Sequence, residues 1–173
     1  LTPCRLLPCW SAWYRFEDPY IFDPMGTMPL KSGDLRGAPN DGIPEGGPKT
    51  IMGMVGTALS FDGGDDFVRV PDHPELNVGT EDMAIDLWAM TMAMGRQPLV
   101  EKLDDAGTGF SFFLQDGMPA FEMKPMAAAT GSPMVDAVAT RNVADGKWHH
   151  LAVSVDRDSS IGGRLFVDGV AVA

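Results

Sequence analysis

Two Asp-Gly dipeptides, each between two short apolar runs, constrain the fold of this chain more than any other feature. Asp168-Gly169 separates Leu165-Phe166-Val167 from Val170-Ala171-Val172, and Asp116-Gly117 separates two further apolar runs, the second of which contains Pro119. A two-residue turn of type I′ needs positive φ at both central residues, and Asp-Gly is one of the few pairs that adopt this conformation readily. Each dipeptide therefore predicts a β-hairpin, although Pro119 weakens the signal of Asp116-Gly117.

Short strand-like runs separated by turn residues recur along the rest of the chain. In the run 83–90 the alternation places Met83, Ile85 and Leu87 on one face, with Asp86 and Trp88 on the other. No segment of ten or more residues keeps a 3.6-residue apolar period between helix caps. Evenly spaced strands without helices predict an all-β, antiparallel sandwich or barrel. The predicted strands are 11–17, 58–61, 67–70, 83–90, 99–102, 110–114, 120–124, 135–140, 148–156, 164–167 and 170–172.

The first fifty residues are expected to contribute little regular structure besides the strand 11–17. Residues 1–10 are predicted to be a leader or disordered segment, in which Cys4 and Cys9 either form a small disulfide loop or are incidental thiols. Residues 18–50 contain six prolines and six glycines, a density that predicts a long surface loop.

The size and charge of the chain exclude several classes of partner. A chain of 173 residues fits one domain that buries about 70% of its unfolded surface. The net charge of −11 argues against nucleic acid, because phosphate neutralisation needs a basic patch. The acidic surface suits divalent cations, and the alternative is that it is simply solvated. The sequence has no run of 18 apolar residues, so it predicts no transmembrane helix.

A series of motifs occurs in a set order and resembles the laminin-G-like jelly-roll family of the concanavalin A-like lectin/glucanase superfamily. The resemblance spans about residues 11–173 and implies two packed antiparallel sheets, in a sandwich of the jelly-roll type. Family members continue into a further strand beside the first, so the resemblance also implies that this chain lacks its last strand. The motifs are Trp13-Tyr14-Arg15-Phe16-Glu17, Gly56-Thr57-Ala58-Leu59-Ser60-Phe61-Asp62-Gly63, Asp66-Phe67-Val68, Ile85-Asp86-Leu87-Trp88, Val100-Glu101-Lys102, Asp145-Gly146-Lys147-Trp148-His149 and Leu165-Phe166-Val167-Asp168-Gly169.

The resemblance implies a non-catalytic recognition or adhesion module of a secreted or cell-surface protein. The expected ligand is carbohydrate or an extracellular protein, with calcium as the expected cofactor. The alternatives are a glycoside hydrolase or lyase of the same superfamily, or a structural spacer domain. Fold alone does not choose between them.

An acidic turn after the strand 58–61 carries the metal prediction. Asp62, Asp65 and Asp66 cluster there with two glycines, and carboxylates with turn carbonyls supply the oxygens that hard cations need. Since many laminin-G-like domains bind calcium near the sandwich rim, the resemblance makes Asp62 and Asp66 the ligand candidates. The alternative is that Asp62 shapes a turn while Asp65 and Asp66 are solvated.

The sequence contains no recognisable catalytic set, so the chain is not expected to be an enzyme. Glucanases of this fold carry Glu-x-Asp-x-x-Glu on one strand, which places carboxylates on a common face. Here Asp86 is the lone acid of its strand, and Glu101 and Asp104 would lie on opposite faces of theirs. The chain also has no Gly-x-Ser-x-Gly elbow.

His149 and His150 are expected to be part of the scaffold. Adjacent strand residues point to opposite faces, so these two imidazoles cannot easily bind one ion, and one of them is predicted to be hydrogen-bonded inside the sandwich. Trp88 and Trp148 are predicted to lie in the core, because aromatic side chains bury large areas.

Overall fold

The computed structural model describes residues 41–79, 81–124, 135–159 and 162–173. The described residues are β-strands, turns and one 3-10 turn, without an α-helix. The chain divides into two compact units between Asn77 and Val78. The predicted leader 1–10 with Cys4 and Cys9, and the predicted strand 11–17, lie outside the described residues.

Twelve strands form the described structure, four in the first unit and eight in the second. The first unit contains β1 (Ile43–Glu45), β2 (Lys49–Met52), β3 (Thr57–Ser60), β4 (Phe67–Arg69) and the 3-10 turn Pro74–Leu76. The second unit contains β5 (Met83–Ala89), β6 (Arg96–Leu103), β7 (Gly109–Gln115), β8 (Met118–Lys124), β9 (Val135–Val138), β10 (His149–Val155), β11 (Gly163–Val167) and β12 (Val170–Ala171). The predicted boundaries from residue 57 onward agree within two residues, except that β6 begins three residues before the predicted 99.

The described residues of the first unit form two small antiparallel sheets, β1 with β4 and β2 with β3. The predicted loop 18–50 is wrong at its end, because β1 and the start of β2 lie inside it. Pro44 is compatible with β1 because this strand pairs on one side, with β4. Gly46 and Gly47, at φ of 85° and 109°, then turn the chain toward β2. The dense glycines and prolines therefore separate short strands at this end of the predicted loop.

The second unit is a sandwich of two four-stranded antiparallel sheets, with the strand orders β12-β11-β10-β5 and β6-β7-β8-β9. One apolar cluster draws side chains from both sheets, with Leu151 and Leu165 from the first and Phe112 and Phe121 from the second, all fully buried. This arrangement confirms the predicted all-β sandwich of the jelly-roll type.

The two predicted Asp-Gly hairpins are present. Asp116 and Gly117 have φ of 51° and 80°, and Asp168 and Gly169 have φ of 51° and 77°. A type I′ turn requires positive φ at both of its central residues. Asp116 and Asp168 are the only non-glycine residues with positive φ in the described part of the chain. Pro119 does not interrupt β8. Its carbonyl accepts a hydrogen bond from the N–H of Ala139, which lies just beyond the end of β9. The β8–β9 ladder ends at this point, so it needs no N–H from residue 119.

Within the described residues, no helix has the length and apolar character needed to cross a bilayer.

Candidate functional site

The predicted acidic turn lies between β3 and β4 in the first unit. Asp62, Asp65 and Asp66 each offer a carboxylate oxygen, and these oxygens lie within 4.8 Å of one another. The Asp62 carboxylate accepts a hydrogen bond from the Gly64 N–H (2.7 Å), and the Asp66 carboxylate accepts one from the Asp62 N–H (2.9 Å). Sequence spacing therefore identified three residues that the fold brings together.

Gly46 packs against the backbone of this turn. A Cβ atom on Gly46 would lie 2.7 Å from the Cα atom of Asp66 and 2.6 Å from the carbonyl carbon of Asp65. Only glycine permits this approach, and its φ of 85° is also one that glycine adopts most readily. The β1–β4 sheet thus holds the backbone of Asp65 and Asp66 in place.

The donor set of the turn fits a hard divalent cation. Calcium takes six to eight oxygen ligands in a flexible geometry, from carboxylates, backbone carbonyls and water. Each carboxylate that accepts a backbone N–H keeps its second oxygen and further lone pairs available. The same hydrogen bonds show that Asp62 and Asp66 also shape the turn, so the turn-shaping interpretation and calcium binding are compatible.

His149 lies in a cluster of charged side chains at one end of β10. His149 is 8% exposed, and its Nδ1 lies 2.9 Å from the Asp168 carboxylate while its Nε2 lies 3.1 Å from that of Asp145. Arg141 donates a hydrogen bond of 2.7 Å to the same oxygen of Asp168. This confirms the prediction that one imidazole is hydrogen-bonded within the scaffold.

The carboxylates around His149 change its titration. The hydrogen bond to Asp168 raises the pKa of His149, burial opposes this shift, and the hydrogen bond to Asp145 adds to it. The bond from His149 lowers the pKa of Asp168, and a backbone bond from Lys147 is the main reason that the pKa of Asp145 is lowered. Sequence reasoning missed these two partners, which belong to the turns before β10 and after β11.

His150 points to the opposite face of the sheet, as the alternation predicted. Its Nε2 lies 3.2 Å from the Asp86 carboxylate, and its ring centroid lies 5.3 Å from that of Trp88. The prediction that Trp88 lies in the core is wrong, since 46% of this residue is exposed. Met83, Ile85 and Leu87 face the core, so the alternation of the strand directs Trp88 toward solvent. Trp148 is half-buried.

The outer face of the second sheet carries a charged cluster that spans three strands. Glu101, Ser111 and Glu122 occupy one row of the register across β6, β7 and β8. Ser111 donates a hydrogen bond of 2.6 Å to Glu101. The spacing of acidic residues within one strand does not reveal this pair, because Glu101 and Glu122 lie on different strands.

Arg96 lies between the two carboxylates of this cluster. Its guanidinium nitrogens lie 3.1 Å from Glu101 and 3.4 Å from Glu122, and its Cζ lies 3.6 Å from the Phe113 ring centroid. A glycosidase places the scissile bond between its two carboxylates. Here an arginine takes that place, so the cluster has the character of an ion-pair network.

Comparison with known proteins identifies relatives of the fold. A laminin G family model, described as belonging to the concanavalin A-like lectin/glucanases superfamily, matches residues 62–173. The chain is similar to the binding domain of Paraclostridial Mosquitocidal Protein 1, with 17% identity, a TM-score of 0.64 and coverage of 83% of this chain and 37% of that one. It thus spans little more than a third of that structure.

A second similar structure is an S-layer domain-containing protein from Clostridium thermocellum ATCC 27405. Its identity to this chain is 23%, its TM-score is 0.57, and the match covers 94% of this chain and 70% of the other. At these identities the two structures establish the fold. No curated protein matches the chain significantly.

Proposed function

Because the chain belongs to the laminin-G-like family of the concanavalin A-like lectin/glucanases superfamily, we propose that it is a non-catalytic binding module of a secreted or cell-surface protein. The proposed ligand is carbohydrate or an extracellular protein. The proposed cofactor is one calcium ion in the acidic turn. The similarity to a toxin's binding domain and to an S-layer domain-containing protein supports a surface-exposed role.

The observation that carries the proposal is the convergence of three carboxylates in the acidic turn. Asp62 and Asp66 would hold the ion, and Asp65 would supply a third oxygen from within 4.8 Å of the other two. Such an ion would neutralise like charges on adjacent residues and fix the connection between β3 and β4. The net charge of −11 also attracts cations toward the surface of the chain.

Thermal unfolding with and without calcium tests the metal site. A ligand that binds the native state stabilises it, so about 1 mM calcium is expected to raise the Tm of the wild-type chain by a few degrees. The double variant Asp62→Asn/Asp66→Asn is expected to lose this rise. Asp105→Asn is a matched control, because it also removes an exposed carboxylate but lies in the β6–β7 connection.

Two outcomes contradict the calcium proposal. One is a wild-type Tm that does not change with calcium. The other is an equal rise in the wild type and in the double variant, which would place the ion elsewhere in the chain.

A further inference from the structure

An aromatic surface lies on the outer face of the β12-β11-β10-β5 sheet, opposite the core. In the strand register Trp88 of β5 lies across from His150 of β10. In the adjacent row Ala152 of β10 lies between Asp86 and Phe166 on the two neighbouring strands. These five residues are called the Trp88 face below.

Trp88 is exposed on the outer face of the sheet. It is 46% exposed, whereas tryptophan is highly buried on average. The His150 ring, tilted by 58° to the indole at 5.3 Å, supports it from the neighbouring strand. Exposed apolar surface that is rimmed by polar groups is typical of recognition sites, and the Trp88 ring has His150 and Asp86 beside it.

Polar groups are held beside this ring. The His150 imidazole and the Asp86 carboxylate are 3.2 Å apart, and their side chains are 31% and 50% exposed. The contact orients both groups before any ligand arrives, which reduces the entropy lost on binding. The Asp86 carboxylate keeps a second oxygen that can accept hydrogen bonds from a ligand.

Small side chains form the floor next to the ring. Ala152 lies between Asp86 and Phe166, and in the following row of the register Ser154 lies between Ala84 and Arg164. Phe166 and Arg164 follow each other on the same face of the neighbouring strand β11. The indole therefore has small side chains and hydrogen-bonding groups beside it on the same face of the sheet.

We propose that the Trp88 face binds a neutral pyranose residue of a glycan. The indole would stack on the apolar C–H face of the sugar ring, while Asp86 and His150 form hydrogen bonds with its hydroxyl groups. An apolar protein segment fits less well, because covering Asp86 and His150 without new partners costs free energy. The Asp86 carboxylate, which lies closer to the indole than the Arg164 row, disfavours uronate and sulfated groups beside the ring.

This inference rests on the carbohydrate part of the proposed function and gives it a location. The Trp88 face and the acidic turn share no residue, so variants of the two sites can be measured separately.

A glycan array tests the proposal with the 173-residue chain. The array carries neutral oligosaccharides of glucose, galactose, mannose and N-acetylglucosamine, together with uronate-containing and sulfated analogues. The wild type is expected to bind at least one neutral glycan, and the strongest one is then titrated in solution. Trp88→Ala is expected to weaken that association by about tenfold or more, because a stacked ring contributes on this scale. Asp86→Asn is expected to weaken it less.

Phe67→Ala is the matched control, since Phe67 is an aromatic residue of similar exposure, 48%, in the first unit. Its affinity is expected to equal that of the wild type. The Tm of Trp88→Ala is expected to stay close to the wild-type value, because the ring is outside the core.

Each remaining outcome overturns the proposal. If Trp88→Ala binds as well as the wild type, or if Phe67→Ala loses as much affinity, the Trp88 face is not the site, although the chain still binds carbohydrate. Binding of acidic glycans alone would contradict the neutral ligand. If the wild type binds no glycan, the carbohydrate part of the proposed function fails as well, while the calcium titration still reports on the acidic turn.

Discussion

At the scale of single residues, His149 shows how a small number of contacts changes a side chain's chemistry. It lies between the carboxylates of Asp145 and Asp168, and Asp168 is also bound by Arg141. A buried imidazole with two acidic partners is stabilised in its charged form, because attraction exceeds the cost of desolvation. The cluster joins the turn before β10 to the β11–β12 hairpin.

The raised pKa of His149 predicts a pH dependence of stability. A pKa above the unfolded value means that the charged imidazole stabilises the fold below about pH 6.5, and that this contribution is lost as pH rises through the folded-state pKa. The lowered pKa values of Asp145 and Asp168 mean that their contribution is lost only as pH falls below about 3.8.

The variant His149→Gln measures this contribution. The Tm difference between wild type and His149→Gln is expected to be largest at about pH 5–6 and to shrink by roughly 2–4 °C toward pH 9. His150→Gln, which removes an imidazole from the solvent face of the same strand, is the control. The same pH dependence in both variants would contradict the assignment to His149.

At the scale of elements, the two Asp-Gly turns have the same backbone but different surroundings. Gly117 and Gly169 have φ of 80° and 77°. A Cβ atom on Gly117 would lie 2.7 Å from the Ala144 side chain, and the Asn142 amide contacts the same position, whereas a Cβ on Gly169 would meet nothing within 4 Å. The Asn142 side chain also donates a hydrogen bond to the Asp116 carbonyl. The first turn is thus packed and the second is open.

This difference predicts unequal effects of the same substitution. Gly169→Ala is expected to cost about 1 kcal/mol, the strain of a left-handed conformation. Gly117→Ala is expected to cost about 1–3 kcal/mol more, because the methyl group also clashes with its neighbours. Chemical denaturation of the two variants measures the free energies of unfolding, and equal losses would show that backbone strain alone decides the outcome.

At the scale of the whole molecule, the apolar cluster that unites two sheets belongs to the second unit. Its largest fully buried side chains come from β7, β8, β10 and β11, all after Val78. In residues 41–77, the described part of the first unit, the strands form two two-stranded sheets, and a two-stranded sheet by itself is marginally stable in water. The free energy of folding is therefore expected to reside mainly in residues 78–173.

A fragment of residues 78–173 tests this distribution. It is expected to unfold cooperatively in denaturant, because it keeps both four-stranded sheets and the whole cluster. Phe112→Ala in the same fragment is expected to lower its stability by about 3–5 kcal/mol, since Phe112 is fully buried. A fragment without a cooperative transition would show that the first 77 residues are required for folding.

Sequence reasoning determined the features that depend on local chemistry. Strand alternation, the two Asp-Gly turns and the all-β sandwich followed from the preferences of neighbouring residues, and the approximate strand boundaries followed from turn residues. The proximity of Asp62, Asp65 and Asp66 also followed, because five consecutive residues form one turn. Whether this turn holds calcium remains a prediction.

Only the tertiary structure decided the features that depend on contacts distant in sequence. Asp145 and Asp168 meet at His149 because β10 and β11 pair, and Arg96 meets Glu122 because β6, β7 and β8 lie side by side. The size of Trp88 predicts a core position, but the face of β5 with Met83, Ile85 and Leu87 packs on the core, so Trp88 faces outward, and the pairing of β5 with β10 places it next to His150. Residue type determines what a side chain can do, and strand pairing determines which other side chains it can act with.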